Sequence, residues 1–323
     1  MDTKVGWGVL APGRIAALFC HDLALMPDSR LVAVGSRDPA RAAAFAEVYG
    51  APTAGSYADV LAHPEVDVVY VASPHPFHAE HATAALEAGK HVLCEKPLTL
   101  DHASGAALVA TARRCDRFLM EAVWTAAHPV IRDLASRLRS GELGRPRRLS
   151  AAFCFAGAED PADRLRDPDL GGGALFDLGV YPLTLAHLLL GPAQELRAEG
   201  RVDARGVDLD VAVTGRYQDG VTADLTVAID VDRPVVATLL TDRGRVEVVA
   251  PFHCPASYSF TPEDGEPIIR NAAEPIIGLG YGNEIAEVNR CLRLGLRESP
   301  LVPHEQSLMI LRQIDDLRRQ VAG

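Results

Sequence analysis

Up to residue 122 the chain alternates short apolar runs with longer segments whose apolar positions recur every three or four residues. The runs at 5–10, 31–36, 66–71, 91–94 and 118–121 predict strands, and the segments at 15–25, 39–49, 57–62, 77–88 and 102–115 predict helices. Asp38 ahead of Pro39 is an N-cap followed by proline at the first helical position, and Gly89 closes the helix that ends at Ala88. Strand and helix in strict alternation predict an α/β fold built on a doubly wound parallel sheet.

Past Trp124 the pattern changes. A helix at 129–140 leads to a strand at 147–155, a glycine-rich turn and a further helix. Hairpin-like strands then cover about 196–249, with Asp219-Gly220 and Arg243-Gly244 as turn signals, and a helix at 303–320 ends the pattern. Strands grouped apart from helices predict a C-terminal α+β domain on a largely antiparallel open sheet. With 323 residues, two domains are expected, divided as 1–123 and 124–323.

Apolar residues make up 48% of the chain and charged ones 23%, which suits a protein with a full interior. The net charge of −11, with basic residues dispersed, argues against a nucleic-acid partner, which asks for a basic face. Residues 1–4 carry no leader pattern, and no apolar run is read as approaching membrane-spanning length. The six cysteines lack any C-x-x-C spacing, as expected of reduced thiols. A soluble, cytoplasmic protein without a membrane partner is the expectation.

The first strand runs into Ala11-Pro12-Gly13-Arg14-Ile15-Ala16, a dinucleotide turn of the form G-x-G-x-x-A with alanine in place of its first glycine. Gly13 lets backbone N–H groups approach a pyrophosphate at a helix N-terminus; an ordinary tight turn is the alternative. Arg14-Ile15 after Gly13 excludes a Walker loop. Where an NAD site usually carries an acid at the end of its second strand, this chain has Ser36-Arg37, with Arg41 a turn further on. Two guanidinium forks and a hydroxyl suit the 2′-phosphate of NADP, with NAD left open, and Asp38 is read as a cap. A solvated helix start is the competing reading of both arginines.

The run 68–71 leads through Ser73 and Pro74 to His75 and His78, at the edge where such sheets bind ligands. His78 and His81 form H-x-x-H, but no acid or thiol stands at a ligand spacing, so no metal is expected. Lys96 lies at the same edge, between Glu95 and Pro97, which fix its direction; a cis bond at Pro97 is left open. Asp177 and Tyr181, four apart, share one face of a regular helix, and Pro182 predicts a kink or a restart there. Tyr181 reads either as a proton carrier or as a core tyrosine. A Y-x-x-x-K pair and a G-x-S-x-G elbow are absent.

Residues 7–16, Ser73-Pro74-His75-Pro76-Phe77-His78, Glu95-Lys96-Pro97 and the stretch 171–182 together resemble the glucose–fructose oxidoreductase / inositol dehydrogenase / MocA family over nearly the whole chain. Tyr181 and Ala11 resemble the branch of trans-dihydrodiol dehydrogenases and NADP-dependent D-xylose dehydrogenases. The resemblance implies an N-terminal Rossmann domain that binds NADP and a C-terminal domain that binds substrate and dimerises, with substrate lying between them. It implies that Lys96 and Tyr181 are catalytic, with Asp177 orienting the site. Ala11, Pro12, Gly13, Arg14 and Ile15 are then expected by the pyrophosphate, and Ser36, Arg37 and Arg41 by the 2′-phosphate. Ser73, Pro74, His78, Glu95, Lys96 and Trp124 are expected to line the nucleotide. His75, Trp124, Phe153, Phe155, Arg164 and Tyr181 are expected at the substrate, with core packing the alternative for the two phenylalanines and Arg166 a further candidate.

The implied activity is hydride transfer between nicotinamide and a hydroxyl or carbonyl carbon of a sugar (an aldose such as D-xylose) or a cyclic diol, in a homodimer or higher homo-oligomer. Two other readings stay open: a catalytically silent nucleotide-binding regulator, and a sugar–sugar oxidoreductase that never releases its nucleotide.

Overall fold

The computed structural model describes residues 4–157, 159–160 and 162–322, so the leader reading of residues 1–3 lies outside the described residues. The chain begins β1 (Val5–Leu10), α1 (Arg14–Leu23), β2 (Ser29–Gly35), α2 (Pro39–Tyr49), β3 (Thr53–Gly55) and α3 (Tyr57–Ala62). It continues β4 (Val68–Val71), α4 (His78–Glu87), β5 (His91–Glu95), α5 (His102–Arg114) and β6 (Leu119–Ala122). The six strands form one sheet in the order β3-β2-β1-β4-β5-β6, and every pair is parallel. This is the expected Rossmann order, with its reversal between β1 and β4. All four residues of β4 are 0% exposed, as a strand covered on both faces must be.

Local signals set these boundaries. The Asp38 carboxylate accepts the Ala40 N–H at 2.9 Å, which confirms the capping role read from Pro39. Ser56 and Asp59 form a reciprocal capping box on α3. The three-residue β3 was not foreseen.

Next come α6 (Trp124–Ala127), α7 (Pro129–Arg139), β7 (Pro146–Ala156), α8 (Val180–Leu190), β8 (Glu195–Val202), β9 (Asp208–Arg216) and β10 (Thr222–Ala228). Then follow β11 (Asp230–Thr241), β12 (Gly244–Val248), β13 (Tyr258–Pro262), β14 (Ile268–Arg270), α9 (Tyr281–Arg293) and α10 (His304–Ala322). β7 to β14 make an eight-stranded sheet in the order β14-β13-β12-β11-β7-β10-β9-β8. Among the described residues only β7 and β10 pair in parallel, so the sheet is largely antiparallel as expected. β13, β14 and α9 lie beyond the strands the sequence pattern predicts.

The stretch Pro168–Leu190 has the length to cross a membrane and contains an 18-residue window with a mean hydropathy of 1.4, contrary to the expectation that no run approaches that span. Of that window 78% is buried inside the protein, and the stretch is broken into a 3₁₀ turn, a π turn and α8. It is a core element.

The chain divides into two compact units: Met1–Trp124 with Ile276–Leu311, and Thr125–Pro275 with Arg312–Gly323. The segment that returns to the first unit is held by buried polar groups. Asp22, fully buried on α1, accepts the Leu279 N–H at 2.8 Å and the Gly282 N–H at 3.1 Å. Gly278, at φ 61°, is required there, because a Cβ would lie 2.1 Å from Asp22 Oδ1. Asn289 donates to Ser29 Oγ at 2.8 Å, which ties α9 to the start of β2.

Candidate active site

The first unit presents its candidate residues at the C-terminal edge of the parallel sheet. Ala11 follows β1 at φ 63°, with its N–H on the Gly35 carbonyl at 3.0 Å. Gly13 precedes α1 in extended conformation, and a Cβ there would meet nothing nearer than 3.8 Å. The start of α1 has no side-chain cap and no acid in its first turn, so its N–H groups are not claimed by a carboxylate. Pro12 is buried, Arg14 exposed and Ile15 half-buried. An anion such as a pyrophosphate fits this turn.

Beyond β2, Ser36 Oγ accepts the Asp38 N–H at 3.1 Å. Arg41 Nε donates to the Pro12 carbonyl at 3.0 Å, which lays its guanidinium along the turn. The Arg37 guanidinium lies 5.7 Å from the centre of the Phe77 ring, a cation–π contact. Arg37 and Arg41 also pull the Tyr57 pKa down, although burial prevails and raises it. The two arginines therefore flank one corner of the turn, and no carboxylate other than the capping Asp38 follows β2 within that loop.

After β4, Ser73 is buried, and its hydroxyl has no hydrogen-bond partner among the described residues. Pro74 is half-buried and His75 buried, its ring 5.5 Å from that of His78. His78 is fully buried, with Nδ1 2.8 Å from the Pro97 carbonyl and Nε2 2.7 Å from the Ser73 carbonyl. Its ring thus ties the end of β4 to the residue after Lys96 and faces no open space. A neutral imidazole donates from one nitrogen only, so two carbonyls call for the cation. Burial opposes that charge and prevails, with Lys96 adding to it, and the pKa is pushed down to about 4.

Lys96 and Glu95 are half-buried, and the Lys96-Pro97 bond is cis. Glu95 accepts the Lys96 N–H at 3.2 Å and the Tyr70 hydroxyl through its other oxygen. Tyr70 in turn stacks on Phe19 at 3.8 Å. Glu121, buried on β6, accepts the Leu98 N–H at 2.9 Å. Its carboxyl is raised by burial, against the Ser307 hydroxyl, the Leu98 N–H and Lys96. The loop that carries Lys96 is therefore fixed by Glu95 before it and by His78 and Glu121 after it. Trp124, half-buried, packs on Tyr281 of α9 at 4.6 Å.

In the second unit the helix that bears Asp177 and Tyr181 is not regular. A π turn spans Leu175–Gly179 and α8 restarts at Val180, so Pro182 falls in a first turn, where its missing N–H costs nothing. Asp177 accepts from Arg164 Nη1 at 2.9 Å. Burial works against the Arg164 charge, but Asp177, Asp163 and Tyr181 outweigh it and raise the pKa. Tyr181 is 9% exposed, and its ring lies 5.3 Å from Phe153 and 5.1 Å from His253. Phe153 and His253 stack at 4.5 Å. The geometry gathers Arg164, Asp177, Tyr181 and Phe153, whereas half-buried Phe155 makes no ring contact among the described residues. His253 was missed, since it lies on an irregular loop after β12 and no motif marks it. Among the described residues no three His, Cys, Asp or Glu side chains are placed to hold a metal ion.

Two family models match this chain. Residues 5–123 match the oxidoreductase family with an NAD-binding Rossmann fold, and residues 131–249 match the GFO/IDH/MocA C-terminal domain. The chain belongs to the GFO/IDH/MocA oxidoreductase family. Among curated relatives it is 34% identical to the D-xylose 1-dehydrogenase (NADP(+)) of Hypocrea jecorina, over 97% of this chain and 91% of that one. It is also 34% identical to the trans-1,2-dihydrobenzene-1,2-diol dehydrogenase of Oryctolagus cuniculus, over 97% of both. A 3-ketoreductase of Actinomadura kijaniata, solved with NADP and TDP-benzene, superposes with a TM-score of 0.87 at 30% identity, covering 99% of this chain and 98% of its own. An aldose-aldose oxidoreductase of Caulobacter crescentus, solved with glycerol, gives a TM-score of 0.89 at 26% identity over 98% and 97%. The expected family, fold and oxidoreductase class are thereby established.

The His78 ring has a measurable consequence. Between pH 6.5 and about 4 the unfolded chain takes up a proton at this residue that the folded chain refuses, so this histidine makes stability fall as pH drops through that window. A His78→Gln variant is expected to be less stable at pH 7, and its stability is expected to fall less steeply from pH 6.5 to 4.5, by up to about one proton of linkage. Urea titrations at several pH values check this; a slope equal to the parent's contradicts it.

Proposed function

We propose that the chain is an NADP-dependent oxidoreductase that transfers hydride between the nicotinamide and a hydroxyl or carbonyl carbon of a sugar or cyclic diol. The observation that carries this is Tyr181: a nearly buried phenol at the head of α8, beside the Arg164–Asp177 ion pair and the Phe153 ring. Two near-full-length relatives named for a D-xylose and a dihydrodiol dehydrogenase support the substrate class. The nicotinamide, when bound, accepts or returns the hydride.

In the oxidative direction the Tyr181 phenolate takes the hydroxyl proton as general base, and in reduction the phenol returns it. Lys96 supplies a positive charge that favours the phenolate and hydrogen-bonds the substrate oxygen. Asp177, paired with Arg164, holds the polar end of the turn from which α8 starts. Phe153 and His253 present flat faces beside the phenol, a surface suited to the apolar side of a ring substrate. Removing the Tyr181 hydroxyl or the Lys96 ammonium is expected to lower kcat by about two to four orders of magnitude. Absorbance of reduced nicotinamide, followed across a panel of aldoses and diols, measures it; a Tyr181→Phe variant with the parent's turnover refutes the assignment. Silence of the parent across the panel, with NADP still bound, favours a sensor. Nucleotide retained through purification favours the shuttle suggested by the likeness to an aldose-aldose oxidoreductase.

The choice of NADP rests on Arg37 and Arg41 together with Asp38, whose carboxylate is committed to capping α2. Charge-assisted contacts to a 2′-phosphate contribute roughly 1.5–3 kcal/mol. The Arg37→Ala variant, which spares the Arg41 contact to the turn, is therefore expected to weaken NADP binding by about tenfold to a hundredfold and leave NAD binding nearly unchanged. Equal weakening of both nucleotides, read by fluorescence titration, argues against a 2′-phosphate site.

A homodimer is part of the proposal. One face of the eight-stranded sheet carries a row of small side chains in register, Ala212, Thr226, Ala152 and Val236, with Ser150 and Thr238 beside it. Such a flat face suits a second copy of the same sheet. An Ala152→Arg variant is expected to sediment as a monomer where the parent sediments as a dimer. A parent that is monomeric at micromolar concentration, or a variant that still dimerises, rejects this face.

A further inference from the structure

The turn that leads to Tyr181 needs an acceptor from outside itself. From β7 the chain passes Gly171-Gly172-Gly173 and enters the π turn with Ala174 at its head, where no side chain of the turn itself caps the leading N–H groups. The acceptor comes from β9: Asp208 Oδ2 takes the Leu175 N–H at 2.6 Å. Asp208 is 2% exposed, and Arg318 of α10 reaches to 3.8 Å from its other oxygen while covering the Phe176 ring at 5.4 Å. Gly173, at φ 125°, leaves room for this carboxylate, since a Cβ would lie 2.3 Å from Asp208 Oδ1. The Gly173 carbonyl then receives the Asp177 N–H at 3.1 Å, so the residue that makes way for the carboxylate also fixes Asp177.

We propose that Asp208 is a positioning residue: it anchors the turn that bears Asp177, and with it the start of α8, so that the Tyr181 phenol is held in its working direction. The inference rests on the role given to Tyr181 above and adds a residue remote in sequence, on a different element. The π turn has no side-chain cap of its own, and α8 continues directly from it. The anchor at Leu175, six residues before Tyr181, supplies the missing constraint. Loss of the carboxylate strands a buried N–H and lets the turn relax. A displacement of about 1 Å at a proton carrier lowers a rate by roughly a hundredfold.

Asp208→Ala and Asp208→Asn are to be compared in the parent and in a Tyr181→Phe background. Asp208→Ala is expected to lower kcat by about tenfold to a hundredfold with NADP affinity unchanged. Asp208→Asn, whose amide oxygen still accepts from Leu175, is expected to recover most of that rate. In the Tyr181→Phe background Asp208→Ala is expected to cost nothing further, an outcome that general destabilisation would not produce. If the alanine chain does not fold, Asp208→Glu, which displaces the oxygen by one methylene, is expected to show the same dependence on Tyr181. Undiminished kcat in these variants, or an equal loss with and without the Tyr181 hydroxyl, overturns the inference while leaving Tyr181 in place. A Tyr181→Phe variant with normal turnover overturns both.

Discussion

Irregular backbone can carry chemistry only where something buried answers its polar groups, and in both units that answer comes from side chains distant in sequence. Four acids and one imidazole do most of it. Asp67 accepts the Gly6 N–H at 2.8 Å at the start of β1, and Asp22 takes two N–H groups ahead of α9. Glu121 and His78 hold the loop after Lys96, and Asp208 holds the turn before Tyr181. An unmet buried N–H or carbonyl costs about 1–3 kcal/mol, so each contact decides between one loop conformation and several. Loops free of this constraint would leave the candidate residues without a fixed direction.

The arrangement explains which parts were legible in the sequence. The parallel sheet was, because β1, β2, β4, β5 and β6 each centre on a short, mostly apolar and buried run, and because Asp38-Pro39 marks a helix start by local geometry alone. The three residues of β3 carry too little pattern to register. α9 was missed because Glu284, Glu287 and Asn289 are buried on it, which breaks the apolar stripe a helix in a core usually shows. Its reason for being buried is Asn289 on Ser29 and the N–H groups on Asp22, contacts across some 260 residues that no short-range pattern records. The candidate residues themselves were legible as motifs. Their supports, Asp208, Glu121 and the His253 ring, were not, since each acts through a partner that only the fold supplies.

Buried acids also shape the electrostatics under the Lys96 loop. Glu284 is fully buried, and its carboxyl is raised well above the usual range, first by burial and then by Glu95 and Asp22. Asp22 has its N–H donors and Glu95 has the Tyr70 hydroxyl and the Lys96 N–H, whereas neither carboxyl oxygen of Glu284 has a hydrogen-bond partner among the described residues. Glu284 belongs to α9, an element that joins this unit only after the chain has passed through the other.

Ala11 shows the same logic at the nucleotide turn. A left-handed conformation costs an alanine roughly 1–2 kcal/mol relative to its preferred regions, and glycine would adopt it freely. The conformation persists because both ends of the turn are fixed: the Ala11 N–H is bound to Gly35 in β2, and the Pro12 carbonyl is bound to Arg41 of α2. The turn shape is thus imposed by the elements it joins and not by the preference of the residue within it. A glycine fingerprint reports one sufficient way to make such a turn. The necessary condition is the pair of anchors, and one of them, Arg41, belongs to the side chains proposed to read the 2′-phosphate.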